Sequence, residues 1–146
     1  MSGLPPGRLG GAPKAGRVNL WAAVAAAAAG GAAGSVVRFL IATWTLQWLG
    51  PGFPWGTFAI NISGSFAIGL VLQLAESRFG LSPYVRVLVV TGFLGGYTTF
   101  SAFAYETYLL SRDALSAQSL WYGFGSVIAG VAAVLLGIWI GRAVFS

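Results

Sequence analysis

Apolar residues gather into four long runs, at about residues 20–40, 55–74, 84–110 and 120–140, separated by short stretches of Gly, Pro and charge. Each run is long enough for an α-helix to cross a hydrocarbon core about 30 Å thick. The polar and small residues inside the runs are not scattered. Asn61, Ser65 and Gly69 recur every fourth position, as do Tyr122, Ser126 and Gly130, and Ala26, Gly30 and Gly34. That spacing places each set on one helix face. In lipid, such a face turns toward protein or a wet cavity. The pattern predicts an all-α membrane protein of four transmembrane helices.

The third run departs from the others at Gly92-Phe93-Leu94-Gly95-Gly96-Tyr97-Thr98-Thr99-Phe100-Ser101-Ala102-Phe103. Each adjacent glycine weakens a helix by about 1 kcal/mol relative to alanine. The Thr98, Thr99 and Ser101 hydroxyls can compete for the backbone. The third helix is therefore expected to be broken in mid-membrane. Irregular backbone at that depth is tolerated only where it is buried in protein or lines a cavity. The glycines alone fit close helix packing equally well; the Thr-Thr-Phe-Ser run tips the reading toward a site.

Charge refines this picture. The chain of 146 residues is 57% hydrophobic and 8% charged, with a net charge of +5. Soluble domains carry about 25% charged residues, so composition points to the membrane independently. Residues 1–17 read as a disordered basic arm on the cytoplasmic side, preceding a four-helix transmembrane unit at 18–146. A signal peptide is the rival reading, but the apolar pattern continues past any cleavage site. With the N-terminus inside, Arg8, Lys14, Arg17, Arg78, Arg86 and Arg142 lie on the cytoplasmic side, and Arg38 and Arg112 toward the other. That bias favours N-terminus inside. Trp44, Trp48, Trp55 and Trp121 would then mark one interface, and Trp21 and Trp139 the other. The basic residues track span ends and are no nucleic-acid footprint.

The chemistry available is narrow. The chain has no cysteine and no histidine, and no GxxxxGK loop, which leaves an enzyme little to work with. The intramembrane inventory is neutral and rich in donors: Asn61, Tyr97, Thr98, Thr99, Ser101, Tyr122 and Ser126. Such groups bind an anion without trapping it. Phe100 and Phe103 can present positive ring edges to a small anion or simply pack. Asn61 can serve that path or make an interhelical hydrogen bond. Ser126 can join a polar track with Tyr122 or bond to its own i−4 carbonyl. Arg38 can snorkel to headgroups or line an anion-gathering vestibule. Glu106 can pair with Arg38 or accept hydroxyl hydrogen bonds. The small-residue stripes of the first, second and fourth spans suggest a symmetric dimer that buries them.

These motifs resemble the Fluc (CrcB) family of fluoride channels. The resemblance rests on Gly31-Ala32-Ala33-Gly34 with Arg38, on Gly56-Thr57 with Asn61-Ile62-Ser63-Gly64-Ser65, and above all on the run from Gly92 to Phe103. It implies an antiparallel, dual-topology dimer in the inner (plasma) membrane that exports fluoride passively through two pores. It implies Asn61, Phe100, Phe103, Tyr122 and Ser126 as pore residues, and Arg38, Thr99, Ser101 and Glu106 as vestibule or support. It also implies a structural Na+ at the dimer centre on the backbone carbonyls of Gly95 and Thr98. Two departures remove hydroxyls: Ala102 stands where the family has threonine, and Gly130 where it has the third hydroxyl of the track. The charge bias leaves open a heterodimer with a second homologous subunit. The competing classes are a four-helix proton-coupled exporter of cationic drugs, which needs a membrane acid typically in its first span, and a non-transporting assembly subunit.

Overall fold

The computed structural model describes residues 18–77, 80–112 and 117–145; the basic arm at 1–17, Arg78 and Asp113 lie outside the described residues. Among the described residues, four helices are long and apolar enough to cross a membrane: Leu20–Leu49, Trp55–Glu76, Pro83–Ser111 and Ala117–Phe145.

Helix α1 (Leu20–Leu49) starts at Asn19, whose side chain accepts from the Trp21 and Ala22 N–H groups. It runs nine residues past the predicted end at 40. Residues 41–49 contain no Gly or Pro, so nothing stops the helix before Gly50, at φ 74, and Pro51. Thirty residues extend about 45 Å, more than a hydrocarbon core. The last turns reach the interface, where Trp48 is 85% exposed. Helix α2 (Trp55–Glu76) begins where the second apolar run begins. Pro54 is its N-cap rather than its first helical residue, and its carbonyl accepts from the Phe58 N–H at 3.1 Å.

The third span is built in pieces. Ser82 caps α3 (Pro83–Arg86), with the proline at the first turn. A π-helical stretch, Val87–Leu94, follows, and then α4 (Gly95–Tyr97). The chain stays helical through both glycines and leaves the helix only at Thr98 and Thr99, which are extended (φ −77, ψ 156 and φ −148, ψ 117). It resumes as α5 (Phe100–Ser111). The π-helical stretch has no counterpart in the sequence reading. Helix α6 (Ala117–Phe145) completes the bundle.

Packing is organised in two parallel pairs: α1 lies along the third span, and α2 along α6. The small-residue stripes are largely consumed here. A methyl at Gly30 would collide with the Leu88 carbonyl, one at Gly34 with the Phe93 carbonyl, one at Gly69 with the Val134 carbonyl, and one at Gly137 with the Phe66 carbonyl. Gly30, Gly34 and Gly69 are thus used within one chain, whereas Gly130, where a Cβ would meet nothing nearer than Ser65 Oγ at 3.5 Å, is left open. The first three bring backbones into contact, where removing a Cβ replaces a side chain with dispersion between main chains. The core they leave is thin. Ile60 and Tyr122 are the largest fully buried side chains among the described residues, while long apolar side chains cover the outside.

Candidate functional site

The interruption at Thr98–Thr99 frees backbone groups that must find partners elsewhere. Asn61 on α2 takes two of them. Its Oδ1 accepts from the Thr99 N–H at 2.9 Å, and its Nδ2 donates to the Thr99 carbonyl at 3.1 Å. One amide side chain thus pairs with one residue as a neighbouring strand would. The Thr99 hydroxyl caps α5 by accepting from the Ala102 N–H at 3.2 Å, and lies 3.3 Å from Ser101 Oγ. On the other side of the break, Thr98 closes the helix through its N–H and hydroxyl, both donated to the Leu94 carbonyl.

Arg38 is drawn into the same place. Its Nε donates to the Gly96 carbonyl at 2.9 Å, beside a longer bond from Ser35 Oγ at 3.5 Å. A cation at the carbonyl end of a helix is favourable twice over, through the hydrogen bond and through the helix dipole. The side chain therefore anchors the break rather than reaching for headgroups. The Gly95 and Thr98 carbonyls, by contrast, accept no hydrogen bond from the described residues.

Glu106 sits two turns along α5. Thr57 donates to its Oε1 at 2.7 Å, and Tyr122 to its Oε2 at 2.6 Å. Of the two expectations for Glu106, hydroxyl acceptance holds, and among the described residues the pairing with Arg38 is not made. Tyr122 is 0% exposed, so its hydroxyl has been moved wholly out of solvent onto a carboxylate. Thr57 was missed by sequence reasoning as a site residue. The signal was present: it stands one turn before Asn61 on the same face.

Aromatic rings connect the two clusters. Phe103 lies 5.3 Å from the Tyr122 ring and 5.9 Å from the Phe100 ring, both tilted. Phe100 is 80% exposed on the single chain. A groove of about 340 Å³ runs past the break, lined by Asn61, Ser65, Gly95, Thr98, Phe100 and Phe103 among others. A second hollow of about 290 Å³ opens onto Glu106 and Thr57 from the α1–α2 loop. Ser126 is buried nearby on α6, and its Oγ has no hydrogen-bond partner. The local bond to its i−4 carbonyl, expected as the bland use of this serine, is not made. The expected residues thus converge on two linked clusters. Asn61, Thr99, Ser101, Arg38, Gly95 and Thr98 gather at the break, and Glu106 and Tyr122 at the acid, with the two phenylalanines between.

Residues 25–138 match the family model described as CrcB-like protein, Camphor Resistance (CrcB). The chain is 43% identical to the fluoride-specific ion channel FluC of Agrobacterium fabrum over 122 residues, covering 84% of this chain and 98% of that one. It is 45% identical to the protein of the same name from Rhizobium meliloti over 115 residues, 79% of this chain and 92% of the relative. A third relative of that name, from Chloroflexus aurantiacus, is 43% identical over 119 residues, 82% of this chain and 94% of its own length.

Proposed function

Starting from the fact that the chain belongs to the CrcB-like family, we propose that it is a fluoride-specific ion channel that lets fluoride leave the cell passively. It is a multi-pass protein of the cell inner membrane. An ion channel is not an enzyme class, and passive flow needs no catalytic step. The observation that carries the reading is the neutral, donor-rich groove at the break, with the Phe100 and Phe103 rings at its side. Fluoride is small and strongly hydrated. A path for it must replace water with many weak donors and still release the ion.

The groove is open on the single chain, and Phe100 projects from it. A second copy would close it, and the dimer we propose is antiparallel. The structural Na+ follows the same logic. Sodium is a hard cation suited to carbonyl oxygens. The Gly95 and Thr98 carbonyls are unspent donors of that kind on the same groove wall. Two per chain make half of a small-cation shell, and a second chain would supply the rest. In this arrangement Asn61, Thr99, Ser101 and Arg38 hold the break open. Phe100, Phe103, Tyr122 and Ser126 line the path, with Glu106 as an acceptor that orients the Tyr122 hydroxyl.

Reconstitution in liposomes tests the function. Fluoride efflux should be rapid without a proton gradient, and chloride efflux should stay near background. Equal rates for the two ions, or a requirement for a proton gradient, would sink the reading in favour of an exporter. The assembly is tested with a single cysteine placed in the 1–17 arm and labelled from either side of sealed vesicles. Equal labelling supports a dual-topology homodimer. Labelling from one side, with flux only when a second homologue is co-expressed, supports a heterodimer.

A further inference from the structure

Helices α2 and α6 run parallel with a register that repeats. Thr57 and Tyr122, 65 positions apart, meet on Glu106. Ser65 and Gly130 are also 65 positions apart, and Ser65 Oγ lies 3.5 Å from where a Gly130 Cβ would stand. Asn61 and Ser126 fall between them at the same separation. The seam is thus a ladder of three rungs, each one helical turn from the next, or about 6 Å. On the first rung both hydroxyls are committed to the carboxylate. On the second, Asn61 is held by Thr99, and Ser126 Oγ is buried without a partner. On the third, α6 has no side chain at all, and the hydroxyl comes from α2.

The behaviour of the other hydroxyls makes Ser65 stand out. A serine or threonine in a lipid-facing helix ordinarily satisfies itself on a carbonyl of its own preceding turn. Thr45, Ser63, Thr98 and Thr107 all do so, with their i−4 carbonyls at 2.7 to 2.9 Å. Ser65 and Ser126 do not, and Ser65 makes no hydrogen bond among the described residues. Ser65 also lines the groove with Asn61, Phe100 and Phe103. An unspent donor on a groove wall, opposite a position emptied of its side chain, is available to a passing ion.

We propose that Ser65 is an anion-contacting residue of the permeation path, supplying from α2 the third hydroxyl of a ladder that α6 leaves blank at Gly130. This rests on the fluoride-channel reading above. It assigns the path's last donor to a helix other than the one that carries Tyr122 and Ser126. It also explains how this chain tolerates glycine at 130: the hydroxyl has changed sides of the seam, and the small residue makes room for the ion beside it.

The test is fluoride and chloride efflux from liposomes for the parent, Ser65→Ala, Ser65→Thr, Ser65→Val, and the double variant Ser65→Ala with Gly130→Ser. The Ser65 hydroxyl makes no hydrogen bond among the described residues, so Ser65→Ala should keep the parental unfolding midpoint while fluoride flux falls about tenfold, the worth of one hydrogen bond to an ion. The double variant should regain most of that loss, because the hydroxyl returns from the opposite wall. Ser65→Thr should conduct and Ser65→Val should not, which keeps the comparison alive if the double variant assembles poorly. Parental flux in Ser65→Ala, or equal loss in the Thr and Val variants, overturns the assignment while leaving the channel reading intact. A parent protein that moves no fluoride overturns both.

Discussion

Two seams in this bundle look alike in the sequence and behave differently in the structure. The seam between α1 and the third span and the seam between α2 and α6 are both marked by small residues every fourth position. At Gly30 and Gly34 the facing atoms are main-chain atoms of the neighbouring segment, and no room remains for a methyl. Along Thr57, Asn61 and Ser65 the facing atoms are hydroxyls, a carboxylate and an emptied position. The first seam fixes where the broken helix stands. The second meets main chain as well at Gly69 and Gly137, but at Ser65 and Ser126 it presents unspent polar groups. A four-residue repeat in a membrane helix is therefore ambiguous until the opposite wall is known. A repeat that meets backbone is structural, and one that meets groups without partners is a place for something else to bind.

The largest effect should come from filling the first seam. Gly34→Val drives a branched side chain into the Phe93 carbonyl, an overpacking that costs upwards of about 3 kcal/mol where backbone cannot shift. We expect no monodisperse protein on size-exclusion chromatography, while Gly31→Ala, whose Cβ would meet nothing nearer than 3.9 Å, should purify normally. Equal yields would show that the approach of Gly34 to the Phe93 carbonyl does not limit packing of the first seam.

Next comes the residue that joins the second seam to the break. Asn61→Ala strands the Thr99 N–H and carbonyl, each costing about 1–3 kcal/mol when buried and unpaired. Both the thermal unfolding midpoint and fluoride flux should drop. A variant that loses flux at full stability would make Asn61 a conducting group rather than an anchor. Tyr122→Phe removes one hydrogen bond to a carboxylate, worth about 1.5–3 kcal/mol. Its midpoint should fall by less than that of Asn61→Ala, as scanning fluorimetry can check.

Phe103→Ile is smaller still in stability, within about 1.5 kcal/mol for an apolar swap of similar bulk, yet flux should fall sharply because the ring edges are lost. Parental flux would reduce the rings to packing. Smallest of all, Thr98→Ser keeps the hydroxyl on Leu94 and loses only the methyl that rests on Gly64. Flux should stay close to parental in sodium, and removing sodium should halt flux in the parent and the variant alike. Full conduction by the parent in sodium-free medium without a substitute cation would count against a cation on the Gly95 and Thr98 carbonyls.

The four spans were legible because apolar run length is set by bilayer thickness and survives any arrangement of neighbours. The position of the break was read less well. Intrinsic propensity points to Gly95 and Gly96, but Gly96 is wanted for its missing Cβ against Gly31, and the chain leaves the helix where Asn61 can receive it, at Thr99. Arg38 and Thr57 could be placed on their helix faces, but their partners, Gly96 and Glu106, lie 58 and 49 positions away. No local pattern says which of several polar groups across a bundle will meet. For Ser126 the sequence left two uses open, the polar track and the local i−4 bond, and its buried Oγ does not take the local one.

The π-helical stretch Val87–Leu94 has a consequence in rotational phase. Each residue turns an α-helix by about 100°, and a stretch bonded i to i+5 accommodates extra residues without lengthening the path in proportion. It sets the angle at which everything after it emerges. Gly92 and Gly96 face α1 across it, and Thr98 and Thr99 come out aimed at α2. Removing one residue from this stretch would change both its rise and its winding, so that Thr99 would no longer emerge opposite Asn61. The segment that looks least regular is the one whose residue count leaves no slack. Insertions and deletions there should be far less tolerable than substitutions.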